Sequence, residues 1–455
     1  MLDEHARKQT QELSQELSQA QALLDFIDES PSPWHAVATM GQRLDQAGFT
    51  ALDERSGWAL KPGGHYYVIR DDSSIIAFVN GPGPLAQDGF RVIGAHTDSP
   101  GFRVKPATPE PGGKQTRLGV EIYGGPIIAT FADRDLKLAG RVMLRTSQGG
   151  VSSALYHHAE SLLRLPNPAI HLNRGVNQDG LKFDSQNELP LILGTVQDEL
   201  PPRKQFLAHL ARTLDVSPEA ILSWELAVAD TQPGAFFGLD KEFIANSQLD
   251  NLASCHAGLE ALLASADGNA FGGVALCAFF DHEEIGSKSF KGAEGSFLPD
   301  TLSRIAEAHN VTGSDYHRAL AASMVLSADM AHAFHPNFAR FYDDSHHAEL
   351  NAGPVIKINA NQRYATDGMA EAVFQTLCEE VNVPCQKYVH RNDLPCGSTI
   401  GPITAARIGM RCADVGNPMW SMHSLRESAG SHDHGKMIRV MHHFFQRRTL
   451  PLAGN

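Results

Sequence analysis

The sequence of 455 residues contains no apolar run long enough to span a bilayer, no Cys-x-x-Cys pair, no internal repeat and no low-complexity tract. The first absence argues against a helical membrane protein. The second leaves no sign of a zinc ribbon or a disulfide framework. The six cysteines (Cys255, Cys277, Cys378, Cys385, Cys396 and Cys412) all fall in the second half among apolar neighbours. They read as small core residues in a reducing compartment. Basic residues are outnumbered, 38 Lys and Arg against 52 Asp and Glu, for a formal charge of -14 with no basic patch. Nucleic acid is therefore not an expected partner. The start, Met1-Leu2-Asp3-Glu4-His5, is polar and lacks the apolar core of a secretory signal, so the cytoplasm is the expected location.

What is present is an α/β pattern with an interruption. The length allows two or three domains. Leu13, Leu17, Leu24 and Ile27 recur at helical spacing, and Ser32 with Pro33 looks like the cap and first position of a second helix. Strand-like runs follow at Tyr66 to Arg70, Ser74 to Val79 and Phe90 to Ala95. From Pro106 the chain turns Pro/Gly-rich, with strand-like runs at Leu118 to Tyr123, Ile127 to Phe131 and Ala139 to Leu144. A helix is expected from Pro202 to Leu214. Residues 101–234 thus read as a β-rich domain inserted into an α/β domain made of residues 1–100 and 235–455. The α/β pattern resumes with an apolar helix after Asp250-Asn251, strands at Val274 to Phe280, Ala322 to Ser327, Pro354 to Ile358 and Ile408 to Val415, and a last helix from His432 to Gln446.

The chemistry gathers at the strand ends. The apolar run Val274 to Phe280 passes directly into Asp281-His282-Glu283-Glu284-Ile285-Gly286. Adjacent carboxylates at a covered strand end repel one another and must be desolvated, a cost that a bound cation removes. An acidic pair alone is more simply a solvated loop, but other strand-like runs also end in candidate ligands, His96 and Asp329 among them. Asp250 opens a helix and His423 sits in a loop. In an open α/β sheet, ligands bind beyond the carboxyl ends of the strands. Two histidines and three carboxylates suit a pair of divalent ions sharing one carboxylate, about 3.5–4 Å apart. One member of the Glu pair is then free to act as general base. Asp98, two residues past His96, is placed to bond the other imidazole nitrogen.

His96-Thr97-Asp98-Ser99-Pro100, Gln248-Leu249-Asp250-Asn251, Asp281 to Ser287, Ser327-Ala328-Asp329-Met330-Ala331-His332 and Met422-His423-Ser424-Leu425-Arg426-Glu427 resemble, in order, the signatures of the M18 aspartyl aminopeptidases. Ser30 to Ala36 and Asn392 to Thr399 fit the same family, so the resemblance spans nearly the whole chain. It implies a mixed-sheet α/β metallo-aminopeptidase catalytic domain, a β-rich inserted dimerisation domain and a dimer-based dodecamer. It further implies that Asp250 bridges two metals, that His96 and Asp329 complete one site, and that Glu284 and His423 complete the other. Glu283 would be the general base. The ions would be zinc, with manganese or cobalt as alternatives.

The substrates implied are peptides with a free N-terminal Asp or Glu. Lys357 and His332 match positions associated with the acidic pocket, with a snorkelling edge-strand lysine as the alternative reading of Lys357. His171, in the insert, matches a histidine that reaches into a neighbouring subunit's active site to stabilise the oxyanion. One departure stands out: Ile128 and Phe131 occupy places where many members of the family carry tryptophan. Two other readings keep the scaffold, namely a broad-specificity aminopeptidase or related deacylase, and a non-catalytic binding protein.

Overall fold

The computed structural model describes residues 2–197, 200–266, 268 and 271–451. Its centre is a nine-stranded mixed sheet in the order Thr50–Leu52, His65–Arg70, Ser74–Asn80, Val274–Phe280, Phe90–His96, Met324–Ala328, Arg411–Gly416, Val355–Ile358, Gln386–Val389. The strands Val274–Phe280, Phe90–His96, Met324–Ala328 and Arg411–Gly416 are mutually parallel neighbours. Along the first two, every residue is buried. Alternate side chains enter opposite cores: Ala275, Cys277 and Phe279 on one face, Val274, Leu276 and Ala278 on the other. Helices Leu249–Ala266 and Asp433–Gln446 cover the first face, and Phe297–Ala308 and Ile400–Ile408 the second. This is the mixed α/β architecture expected. Parallel neighbours point their carboxyl ends the same way, so His96, Asp281 and Asp329 leave the sheet side by side.

The residues between Gly101 and Asp230 build two antiparallel sheets of five and three strands around a core that includes Phe102, Leu138, Val142, Tyr156 and Phe206. The helix Pro202–Leu214 lies where its pattern placed it. One strand expectation fails, and another strand begins late. Ile128–Phe131 is a 3-10 turn, because its polar groups bond the His423 loop instead of a neighbouring strand: the Ile127 N–H donates to the His423 carbonyl (2.9 Å), and Thr130 Oγ1 accepts from the Leu425 N–H (2.9 Å). Ile408 ends a helix, and the strand begins only at Arg411 after Gly409 closes that helix at φ 77°. Ser32 precedes its helix as expected but does not cap it, since its hydroxyl bonds His35 Nδ1 (2.7 Å).

A fourth sheet had no counterpart in the sequence reading. It runs Ala235–Phe237, Phe243–Asn246, Glu427–Gly430, Pro418–Trp420, Ala331–His332. Each strand is short, but the sheet gathers three distant segments. Asp250 follows one of its strands, His423 lies between two others, and Asp329 precedes a fourth.

Candidate metal centre

The turn after Val274–Phe280 is fixed before it delivers its carboxylates. The Asp281 N–H donates to Ser74 Oγ (2.8 Å), and the Asp281 carboxylate pairs with the buried Lys291 ammonium (2.9 Å). Lys291 also reaches Asp71 (2.9 Å). His282 then takes a left-handed conformation (φ 65°), which lets the Glu283–Ile285 turn fold back over the strand end.

The ligating atoms converge. His96 Nε2 lies 3.4 Å from Asp250 Oδ1, 3.6 Å from Asp329 Oδ1 and 4.0 Å from Glu283 Oε2. His423 Nε2 lies 3.4 Å from Asp250 Oδ2 and 3.5 Å from Glu284 Oε1. Asp250 therefore turns one carboxylate oxygen to each histidine. Three sets of donor atoms fall within 4.8 Å of one another: His96, Asp250 and Asp329; Asp250, Glu284 and His423; and His96, Glu283 and Glu284.

Each imidazole is held from behind. His96 Nδ1 lies 2.9 Å from the Asp98 main-chain carbonyl and 3.5 Å from its carboxylate Oδ1. A donated Nδ1–H leaves Nε2 free for a metal. Asp98 meets His96 chiefly through its backbone, because its carboxylate is engaged elsewhere: it accepts from the Glu283 N–H and the Glu284 N–H (each 3.1 Å) and from the Tyr123 hydroxyl (2.7 Å). His423 Nδ1 bonds the Gly125 carbonyl (3.0 Å), a contact from the inserted sheets. Behind Asp250 and His423 stands buried Glu427, which accepts from both of their amides.

The electrostatics state the same need. Burial and the surrounding carboxylates raise Glu283 to about 8, and Glu284 well above its ordinary range. Burial alone would lower His96, but Glu283, Asp250, Asp329 and Asp98 raise it well above 6.5. Burial likewise works against Asp250, yet the facing imidazoles of His423 and His96 hold it below the ordinary carboxylate range. Six carboxylates (Asp98, Asp250, Glu283, Glu284, Asp329 and Glu427) crowd two imidazoles, and Asp250 Oδ1 is buried without a hydrogen-bond donor. Without metal, protons compensate this charge. Divalent cations would displace them, and the mixed imidazole and carboxylate donors fit zinc.

A family model described as Aminopeptidase I zinc metalloprotease (M18) matches residues 26–445. The chain belongs to the M18 family. As such it is a zinc metallo-aminopeptidase, a hydrolase. A probable M18 family aminopeptidase 2 from Ectopseudomonas mendocina is 47% identical over 433 residues, covering 95% of this chain and 99% of its own length. Its counterpart from Azotobacter vinelandii is 48% identical with the same coverage. A chain in the cryo-EM structure of the Ape4 and Nbr1 complex superposes with a TM-score of 0.92 at 39% identity, covering 95% of this chain and 86% of that one. The S. cerevisiae mApe1 dodecamer gives 0.83 at 27% identity, with 94% and 96% covered.

Lys357, His332 and His171 belong to none of the three donor sets. Lys357 is 2% exposed. Its ammonium sits 3.5 Å from Asp329 Oδ2, donates to the Met330 carbonyl (3.1 Å) and faces the Tyr364 ring (5.3 Å). This position rules out the snorkelling edge-strand reading. His332 packs edge-on against Tyr388 at 5.6 Å; burial and the Lys357 charge lower it to about 4, so it is neutral at pH 7. His171 lies in an exposed turn of the insert between exposed Ile170 and Leu172. It joins none of the ligand sets. Among the described residues no helix is long and apolar enough to cross a membrane.

The sequence reading missed Glu427, Gly125, Tyr123 and Lys291. Glu427 belonged to a quoted motif, and its place five residues after Met422 gave no sign of what it holds. Gly125 acts through its carbonyl, which no side-chain pattern reports.

Proposed function

We propose that this aminopeptidase removes single acidic residues, Asp or Glu, from the free N-terminus of peptides by means of a two-ion centre. The observation that carries the two-ion reading is Asp250, whose two oxygens each stand 3.4 Å from a different histidine. His96 and Asp329 would complete one site, and Glu284 and His423 the other, with zinc favoured and manganese or cobalt as alternatives. Bound there, the ions supply Lewis acidity, which lowers the pKa of water and polarises the scissile carbonyl. Glu283 takes the proton from the attacking water and passes it to the leaving amine. Asp98 holds the Glu283 amide so that this carboxylate stays at the mouth of the centre.

Lys357 supports the acidic preference. It is a buried ammonium beside Asp329, so a substrate side-chain carboxylate would meet a desolvated cation. His332, neutral and next to Lys357, lines the same pocket. The mApe1 dodecamer supports a dodecameric assembly for this chain. In this reading dimers are its unit, the insert (101–234) makes the dimer contact, and His171 is offered to a partner's site for the oxyanion. Six free thiols suit a reducing compartment, the cytoplasm.

The test is steady-state kinetics on Asp-, Glu- and Leu-terminated peptides, free and N-acetylated, for the native enzyme and Lys357→Met. Native enzyme should cleave only free termini and prefer Asp and Glu, and the variant should lose acidic substrates selectively. Equal native rates on Leu-peptides would favour a broad aminopeptidase. Cleavage of acetylated peptides would favour a deacylase. Inactivity with every metal would favour a non-catalytic scaffold.

A further inference from the structure

We infer that Glu427 is a positioning residue of the metal centre, a buried carboxylate that registers the main chains of Asp250 and His423 against each other. Its Oε2 accepts the Asp250 N–H at 3.0 Å and its Oε1 the His423 N–H at 2.7 Å. Asp250 is 177 residues away in sequence, and Glu427 is 2% exposed. The small fourth sheet puts it there: Glu427 pairs with Asn246, the last residue of the strand that leads into Asp250.

Chemistry explains the residue type. Two converging N–H donors require acceptors on both oxygens, and a carboxylate offers them, whereas a carboxamide has one acceptor and one donor. Burying a carboxylate without a cation is costly, so filling space would be better served by an apolar side chain. What Glu427 adds is registry. It fixes the carboxylate that faces both histidines relative to one of those histidines. Asp98 does the same for Glu283 and Glu284 from the other side of the centre. The two buried carboxylates thus set four of the converging residues through their amides, while the ligating side chains remain free for metal.

This assignment rests on the two-ion reading, and one experiment separates the two. Metal-stripped full-length enzyme is titrated with zinc against a competing chelator, for the native chain, Glu427→Gln and Glu427→Asp, with thermal melting of each metal-free form. The native chain should bind two ions. In Glu427→Gln one amide faces a donor, so the ion held by Asp250, Glu284 and His423 should weaken about 10–100-fold. The metal-free melting temperature should fall only modestly, by the cost of the one amide left facing a donor. Glu427→Asp keeps the charge but cannot span both amides, and should show a smaller loss of the same ion. Zinc affinities within twofold of native in a folded variant, either one, would overturn the role. A lowered melting temperature with unchanged affinity would show a merely structural residue. If the native chain binds one ion, the two-ion reading fails, and the effect of Glu427→Gln on that ion still decides the role of Glu427.

Discussion

Glu283 and Glu284 are neighbours on one short turn, yet their carboxylates face different partners: Glu283 lies nearest His96 and Glu284 nearest His423. Glu283→Gln keeps the shape and removes the base. Turnover should fall about 10²–10⁴-fold while metal content, measured by elemental analysis, stays at the native value. Loss of metal in that variant would make Glu283 a ligand instead. Protons compete with metal here, since Glu283 and Glu284 are raised and must ionise to serve. Zinc affinity should therefore rise as pH climbs above the ordinary carboxylate range and Glu284 gives up its proton, with proton release visible in weakly buffered titrations. A second pair of residues governs acid stability. His256 Nδ1 and His434 Nε2 share one hydrogen bond (2.8 Å) in the core, and burial lowers His434 to about 3. The folded state then binds fewer protons than the unfolded chain below pH 6.5, so stability falls as pH drops from 6.5 towards 3. At pH 5 the loss from His434 is about 2 kcal/mol. Melting temperatures of the native chain and His434→Gln at pH 7 and 5 test this, and the native chain should show the steeper fall.

At the scale of elements, the segment from Tyr123 to Phe131 belongs to the inserted sheets but grips the catalytic side. Tyr123 reaches Asp98, Gly125 and Ile127 hold His423, and Thr130 holds Leu425. Thr130→Val is nearly isosteric and orphans the Leu425 N–H, at a cost of about 1–3 kcal/mol. Chelator competition should show weaker zinc binding at the His423 site, and an unchanged affinity would mean that the grip is incidental. This segment is also where the sequence misled. Ile127 to Phe131 is apolar and β-rich, which reads as a strand, yet its polar groups had a tertiary partner some 295 residues away. The parallel strands were legible because burial on both faces writes continuous apolar runs, as in Val274 to Phe280. The convergence at their ends was legible because carboxylates and imidazoles there have few other reasons to cluster. Glu427, Asp98 and Gly125 hold the centre through backbone amides and carbonyls, which carry no side-chain signature, and the strands of the fourth sheet are too short to show a period.

For the whole molecule, the centre joins the large sheet, the small fourth sheet and the insert, so the ions should act as cross-links between them. Removing metal with a chelator should lower the melting temperature, and adding zinc back should restore it. At 100 times the dissociation constant one ion contributes about 2.7 kcal/mol. The spread of these ligands along the chain has a consequence for synthesis. His96 emerges early, Asp250, Glu284 and Asp329 follow much later, and His423 comes after all of them. No nascent fragment short of His423 can bring all three donor sets together. Capture of metal by both histidines would thereby wait until His423 has been made, and a product cut short before it would carry an incomplete constellation.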